Sequence, residues 1–486
     1  MKYLTETYKP QRVLKHFEDI CRIPHGSGNE HNLAEHIIDL AKKHKFEVIQ
    51  DLTGNILIRK PATCGNDNIP SFLLQGHMDM VCVKNEGCDL DMVNEPIKLI
   101  LDDNILRADR TSLGADNAVG LCNMLAVMVA DDLTHPPLEL LFTVNEEIGM
   151  VGIRKFDMSQ IKSRRMITMD CGDPDSMVIS SAGALKSNIT KQCCIEPIRG
   201  ETYKIAIKGL IGGHSGIEIG KNRASAVQLI GRVINCLTET IPINIISISV
   251  EGIGNSIPKA SECVIALSSE NVKMAKNVID DLYKTIRAEY FNIETMLKLN
   301  FNAVEVVEKS MVCSNDTMAI SDLLLLIPYG VQKRSMHSLE WITCSSLFSV
   351  VTCYNGFFTS KFAIRANLDE LKYNVFRQVQ RICALCNAKL EQYDDVPAWS
   401  NNADSKLQLL CNNTYKELFG KTLHEESIHG CVEAGIISYN IPNMDIVGIA
   451  PKSRGAHTAD EHLYLESMQP FWEHLVRLLK NMCSFY

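Results

Sequence analysis

An apolar run at residues 72–75, Phe-Leu-Leu-Gln, stops at Gly76, and His77 and Asp79 follow with one residue between them. If the run is a buried strand, its end delivers an imidazole and a carboxylate to one side, because strand side chains alternate. The pattern recurs along the chain. Residues 138–144 read as an apolar strand that ends in Asn145-Glu146-Glu147-Ile148-Gly149, and residues 166–169 as a short strand that ends at Asp170. Between the first two, Gly114-Ala115-Asp116-Asn117 leads into a strongly apolar helix over residues 118–130. In open α/β sheets the ligand crevice lies beyond the carboxyl ends of the strands. Segments that keep finishing on Asp, Glu or His therefore predict an α/β sheet with an acidic, imidazole-bearing rim.

The chain has 486 residues, 46% of them hydrophobic, so more than one core and more than one domain are expected. The first 23 residues are charged throughout and carry no apolar signal-peptide core. No apolar stretch approaches the length of a membrane span. Net charge is -9 and no basic block tracks a phosphate backbone, which excludes nucleic acid as the expected partner. The 18 scattered cysteines, with no secretory signal beside them, read as reduced thiols of a cytoplasmic protein. Cys193-Cys194 and the Cys82/Cys88 pair invite a metal or disulfide reading, and the compartment argument favours ordinary thiols there too.

Up to about residue 186 the pattern is strands and helices around the rim described above. Beyond it, two-residue alternation at 187–193, 203–208, 243–250, 262–267 and 357–365 reads as half-buried strands. Residues 223–237, 271–291 and 370–386 read as amphipathic helices. This predicts an α+β domain over residues 187–396 inserted into a discontinuous domain of residues 1–186 and 397–486. The chain leaves the insertion at Asp394-Asp395-Val396-Pro397, and a last helix, helix, strand, helix segment is expected to rejoin the first sheet.

Five positions stand at strand ends or loop tips: His77, Asp116, the Glu146-Glu147 pair, Asp170, and His457 in Ser453-Arg454-Gly455-Ala456-His457-Thr458. Two imidazoles and three carboxylates, one of them shared, suit two metal ions of nitrogen/oxygen type. Of the adjacent glutamates, one would bind metal and the other move a proton. Taken singly, each has a plainer reading: a solvated turn for the glutamates, a helix N-cap for Asp116, an ordinary loop histidine for His457.

Gly76-His77-Met78-Asp79, Leu113-Gly114-Ala115-Asp116-Asn117, Glu146-Glu147-Ile148-Gly149, Gly212-Gly213-His214-Ser215-Gly216 and Arg454-Gly455-Ala456-His457 resemble, in order, the motifs of the aminoacyl-histidine dipeptidases. That family lies in the zinc exopeptidase superfamily with carnosinase and with carboxypeptidases and deacylases. The resemblance runs nearly end to end. It implies an α/β catalytic domain, a mixed sheet flanked by helices, with an inserted α+β lid and dimerisation domain. It implies two Zn2+ per subunit, replaceable by Co2+ or Mn2+, and hydrolysis of unblocked dipeptides, Xaa-His among them, by a water shared between the metals. By position, His77 and Asp170 would hold one metal and Glu147 and His457 the other, with Asp116 between them. Glu146 would be the general base, and Asp79 would orient His77. His214 would reach across a homodimer to stabilise the oxyanion.

Arg365 resembles the residue that receives the substrate carboxylate, and stands equally well as a surface arginine at a strand end. Asn255, His429 and Glu433 resemble substrate-site residues. The chain departs from the family at Asn145, where Asp is usual, and after Asp170, where Asp173 or Asp175 could compete as ligand. Residues 338–353 match the family poorly. An N-acyl-amino-acid deacylase or carboxypeptidase with the same metal site, and a metal-free binding homologue, remain as alternatives.

Overall fold

The structure is a computed structural model that describes residues 2–250 and 252–485. The chain separates into two compact units. The first comprises Met1–Ser181, Trp399–Ile428 and Val432–Tyr486; the second comprises Ala182–Ala398 and His429–Cys431.

The first unit is built on a sheet of eight strands among the described residues. Their spatial order is Glu47–Gln50, Ile56–Lys60, Leu138–Thr143, Phe72–His77, Arg165–Thr168, Asp445–Gly448, Ser176–Ser181 and His424–Ile428. Phe72–His77 runs parallel to both its neighbours, with His77 opposite Thr143 and Gln75 opposite Thr168. Phe72–His77 and Leu138–Thr143 are buried at every position, as near-continuous apolar runs in parallel strands should be. Asp445–Gly448 enters between Arg165–Thr168 and Ser176–Ser181, so the last segment does rejoin the sheet. Ser176–Ser181 and His424–Ile428 escape the hydrophobic pattern: the first is serine-rich and the second mostly polar, yet both pair in the sheet.

The Ala115–Val129 helix is buried almost throughout and packs on Gln11–Cys21. Gly120 lets it come close to the sheet: a Cβ there would lie 2.2 Å from Asn117 Oδ1 and 2.8 Å from Met169 O. A smaller antiparallel sheet joins Leu99–Asp102, Ile105–Ala108, His462–Tyr464 and Ser453–Arg454. It turns residues 455–461 into a hairpin tip that carries His457.

The second unit holds a sheet of nine strands among its described residues, with antiparallel pairing throughout. Helices Ala226–Thr240, Val272–Glu289, Ser314–Leu326 and Asp369–Leu385 contribute to its core. The stretch that matches the family poorly contains a 13-residue strand, Ile342–Tyr354, buried over most of its length.

Candidate active site

Three neighbouring parallel strands, Leu138–Thr143, Phe72–His77 and Arg165–Thr168, end at one edge of the first unit's sheet. His77 closes the middle strand, Glu146 and Glu147 follow the first, and Asp170 follows the third. His77 Nε2 lies 3.0 Å from Asp170 Oδ1 and 3.1 Å from Asp116 Oδ1. The other Asp116 oxygen, Oδ2, lies 3.4 Å from His457 Nε2, which is 2.8 Å from Glu147 Oε1. Asp116 therefore gives one oxygen to each of two histidine–carboxylate groups. Donors around a tetrahedral ion with bonds of 2.0–2.1 Å sit about 3.3 Å apart, so both groups fit a cation of this kind. The three ligand atoms of each group lie within 4.8 Å of one another.

Most of these side chains have an identifiable support. His77 Nδ1 is 2.9 Å from the backbone oxygen of Asp79, which orients the ring. The Asp79 carboxylate is farther from that nitrogen, at 3.6 Å, too long for a hydrogen bond. It accepts instead from the Glu146 amide at 2.9 Å, the Glu147 amide at 3.1 Å and the Ser27 hydroxyl at 2.8 Å. Asp79 thus couples the histidine to the glutamate turn, a broader job than the expected single bond. Asn145, at φ +55°, occupies a left-handed position that asparagine tolerates better than most residues.

Asp116 is no N-cap. Gly114 precedes the helix, and Asp116 has non-helical angles at its start. The loop is fastened by Glu461, whose carboxylate accepts from the amides of Leu113 at 2.8 Å, Gly114 at 2.7 Å and Asp116 at 3.0 Å. Asn117 donates to Asp170 Oδ1 at 2.9 Å and accepts from Gly120 N at 3.0 Å. Asp173 is held by Arg454 at 2.5 and 2.8 Å and joins neither ligand group, nor does Asp175.

The electrostatics follow from burying this many carboxyl groups together. Burial raises Glu146 well above the ordinary glutamate range, with Asp170, Glu433 and Glu147 adding to it against the pull of His77. Burial likewise lifts Asp170 to about 6. His457 is raised to about 10 by its bonds to Asp116 and Glu147. Asp116 moves the other way: burial would lift it, but its bonds to His457 and His77 bring it below the usual aspartate value. An edge so rich in anionic oxygen is electrostatically complete only with positive charge among its donors.

Glu433 does not lie where a substrate contact was expected. It opens the Glu433–Asn440 helix, is 0% exposed, and accepts at one oxygen from Gln75 Nε2 and Thr143 Oγ1, both at 2.6 Å. Gln75 Oε1 in turn accepts from Thr168 Oγ1 at 2.8 Å, so the group braces the three strands that end at the site. Burial lifts the Glu433 carboxyl to about 8, which leaves it largely neutral at pH 7. Ser27, Asn117 and Glu461 were not anticipated. For Asn117 the signal was available, since it follows Asp116 directly.

His214, Asn255, Arg365 and His429 belong to the second unit. His214 pairs with Ser256 in a short ribbon, and Ser215 N donates to Asn255 O at 2.8 Å. Arg365 donates to Cys431 Sγ at 3.5 Å, and His429 Nε2 is 2.7 Å from the hydroxyl of Ser345, which stands opposite Arg365. Gly216 allows these parts to meet: a Cβ there would lie 3.0 Å from the His214 ring and 3.4 Å from His429 O. Burial, then the Arg365 charge, hold the His429 imidazole down at about 4.

A sheet edge with two histidine–carboxylate groups that share one aspartate, and a buried glutamate beside them, is a donor arrangement suited to two cations and to hydrolysis. The sequence profile of Peptidase family M20/M25/M40 matches residues 73–481, and the chain belongs to that family of hydrolases acting on peptide bonds. It is 33% identical to the cytosol non-specific dipeptidase of Escherichia coli strain K12, over 97% of this chain and 98% of that one. The crystal structure of the aminoacylhistidine dipeptidase from Vibrio alginolyticus superposes with a TM-score of 0.90 at 29% identity, covering 99% of this chain and 98% of the other. Human carnosine dipeptidase 1 shares the fold, with a TM-score of 0.52 at 13% identity over 98% and 97% of the two chains. Among the described residues, no helix is long and apolar enough to cross a membrane.

Proposed function

We propose that the protein is a cytoplasmic metallo-dipeptidase that cleaves unblocked dipeptides, Xaa-His among them, and works as a homodimer. The observation that carries the reading is Asp116, with one carboxylate oxygen turned to each histidine–carboxylate group. His77, Asp170 and Asp116 would hold one divalent cation, and Glu147, His457 and Asp116 the other, zinc being the natural choice for this donor set. The cations would supply Lewis acidity to the scissile carbonyl and acidify water from 15.7 to about 7.

Glu146 takes the proton from the attacking water and returns it to the leaving amine. Burial raises its pKa, which strengthens it as a base. Asp79 keeps the Glu146 and Glu147 amides in place during that transfer. In the second unit, which would act as the lid and dimerisation domain, His214 donates to the developing oxyanion of the partner's site. Arg365 receives the substrate's free carboxylate, Asn255 contacts the substrate, and His429, kept neutral, contributes to the substrate site.

A panel of free dipeptides and N-acyl amino acids, assayed with added zinc, cobalt and manganese, tests the proposal. Cleavage of dipeptides with little action on acylated amino acids is expected. Preference for the acylated substrates would make the protein a deacylase, and inertness of fully metallated protein toward all of them would make it a binding homologue.

A further inference from the structure

Cys193 and Cys194 are neighbours in sequence but not in surroundings. Cys193 is buried in the second unit's core, whereas Cys194 is exposed. Cys194 immediately precedes the Ile195–Pro197 strand, which pairs antiparallel with Ser310–Val312, Ile195 opposite Val312. Cys194 and Cys313 are therefore the next pair along, and the Cys313 amide donates to Cys194 O at 2.9 Å. Cys313 then caps the Ser314–Leu326 helix, with Asp316 in its first turn.

The Asp316 carboxylate is held from two sides. The buried Lys191 ammonium lies 2.8 Å from Oδ1, and the Cys194 amide donates to Oδ2 at 2.6 Å. Cys313 Sγ is 3.6 Å from the same Oδ2. The two sulfurs and a carboxylate oxygen all lie within 4.8 Å of one another.

We propose that Cys194, Cys313 and Asp316 form a binding site for one thiophilic divalent cation of the zinc or cadmium type. Tetrahedral zinc with bonds of about 2.3 Å to sulfur and 2.1 Å to oxygen puts those two donors about 3.6 Å apart, matching the Cys313–Asp316 spacing. Two thiolates and a carboxylate bring three negative charges, and Lys191 offsets one, leaving the charge of one divalent ion to be met. Thiolate donors select zinc and its softer relatives over magnesium, calcium or manganese. Lys191 plays the part of an outer partner that fixes the ligating carboxylate, and solvent at the exposed Cys194 side supplies a fourth ligand.

The Lys191 ammonium and the Cys194 amide hold the Asp316 carboxylate in place for a cation. Thiolate ligation displaces the thiol protons, so affinity rises with pH. Cys383 and Cys386, spaced as C-x-x-C, make an instructive contrast: both are buried and neither joins a ligand group.

The test is a cadmium titration of the full chain under reducing conditions, read by the thiolate-to-cadmium charge-transfer band. The strand-edge donors are nitrogen and oxygen and contribute nothing to that band. At saturation the band should have the intensity of two thiolates per chain. Cys194→Ser, an exposed change that leaves the core intact, should halve the band or abolish it, and Cys194→Ser/Cys313→Ser should abolish it. Asp316→Asn should weaken binding by about tenfold or more. A control at exposed cysteines elsewhere, Cys64→Ser/Cys82→Ser, should leave the band and its affinity unchanged, and peptidase activity should be unchanged in Cys194→Ser. An undiminished band in the double variant, unchanged affinity in Asp316→Asn, or a Cys194–Cys313 disulfide that forms in place of cadmium uptake would overturn the proposal.

Discussion

The two halves of the strand-edge cluster are made of different material. His77 and Asp170 sit at the ends of adjacent parallel strands, and the His77 side chain is 1% exposed. His457 sits at a hairpin tip with its side chain 50% exposed and its backbone at φ +63°, a left-handed conformation uncommon outside glycine. The first half inherits its geometry from the sheet, with the Glu433–Gln75–Thr168 chain bracing the strands from within. The second depends on a loop tip and on the two carboxylates it meets. Preorganisation is thus uneven across the site, and the buried half should bind its cation more tightly.

The largest expected effect strikes between the halves. Glu146→Gln should lower turnover by about a thousandfold or more while metal content stays at the wild-type level. Loss of metal instead would make Glu146 a ligand and redraw the comparison. His214→Ala should cost about 100-fold in turnover with both metals kept. Mixing it with Glu146→Gln should recover activity if each site borrows the partner's histidine, and stable mixed dimers without recovery would confine the site to one chain.

Asp79→Asn sharpens the comparison because Asp79 serves the glutamate turn more directly than the His77 ring. Metal should remain, with activity down by about 10- to 100-fold. Loss of the His77-side cation alone would show that the carboxylate, not the backbone oxygen, governs that histidine.

The smallest effect concerns the scaffold. Burial holds the His474 imidazole at about 4 in the folded protein, against 6.5 when free. Between those values the unfolded chain binds one more proton, so stability rises with pH through that window and is lost as pH falls toward 4. The full difference is about 3 kcal/mol. His474→Gln should make the rise of the urea-unfolding free energy between pH 4 and pH 6.5 shallower by one proton's share, and an unchanged slope would assign the acid sensitivity to other groups.

What the sequence made legible follows the same division. Strand ends carry local patterns, an apolar run and then an acidic or imidazole residue, so the gathering of His77, Glu146, Glu147 and Asp170 at one sheet edge was legible residue by residue. The supports could not. Glu461 fastens an amide 345 positions away, and nothing local marks that partnership. Glu433 reads as a motif acid near a substrate segment, but as the first residue of a helix its carboxyl turns into the sheet onto Gln75, 358 positions away. Asp79 was expected to orient His77, and it does so through its backbone oxygen while its carboxylate serves the glutamate turn, a division that residue types cannot reveal. In the second unit, adjacent cysteines in sequence separate in space, and the pairing that matters, Cys194 with Cys313, comes from a strand register.

Elemental analysis of protein reconstituted with zinc and dialysed tests the central claim of a shared, two-cation site most directly. In a Cys194→Ser/Cys313→Ser background, which removes the thiolate site of the second unit, the chain should retain two zinc ions, the same chain with His457→Ala one, and with Asp116→Ala fewer than one, with dipeptide hydrolysis only where the strand edge is intact. A background chain that holds one ion or none, or an Asp116→Ala variant of it that still holds two, would contradict it.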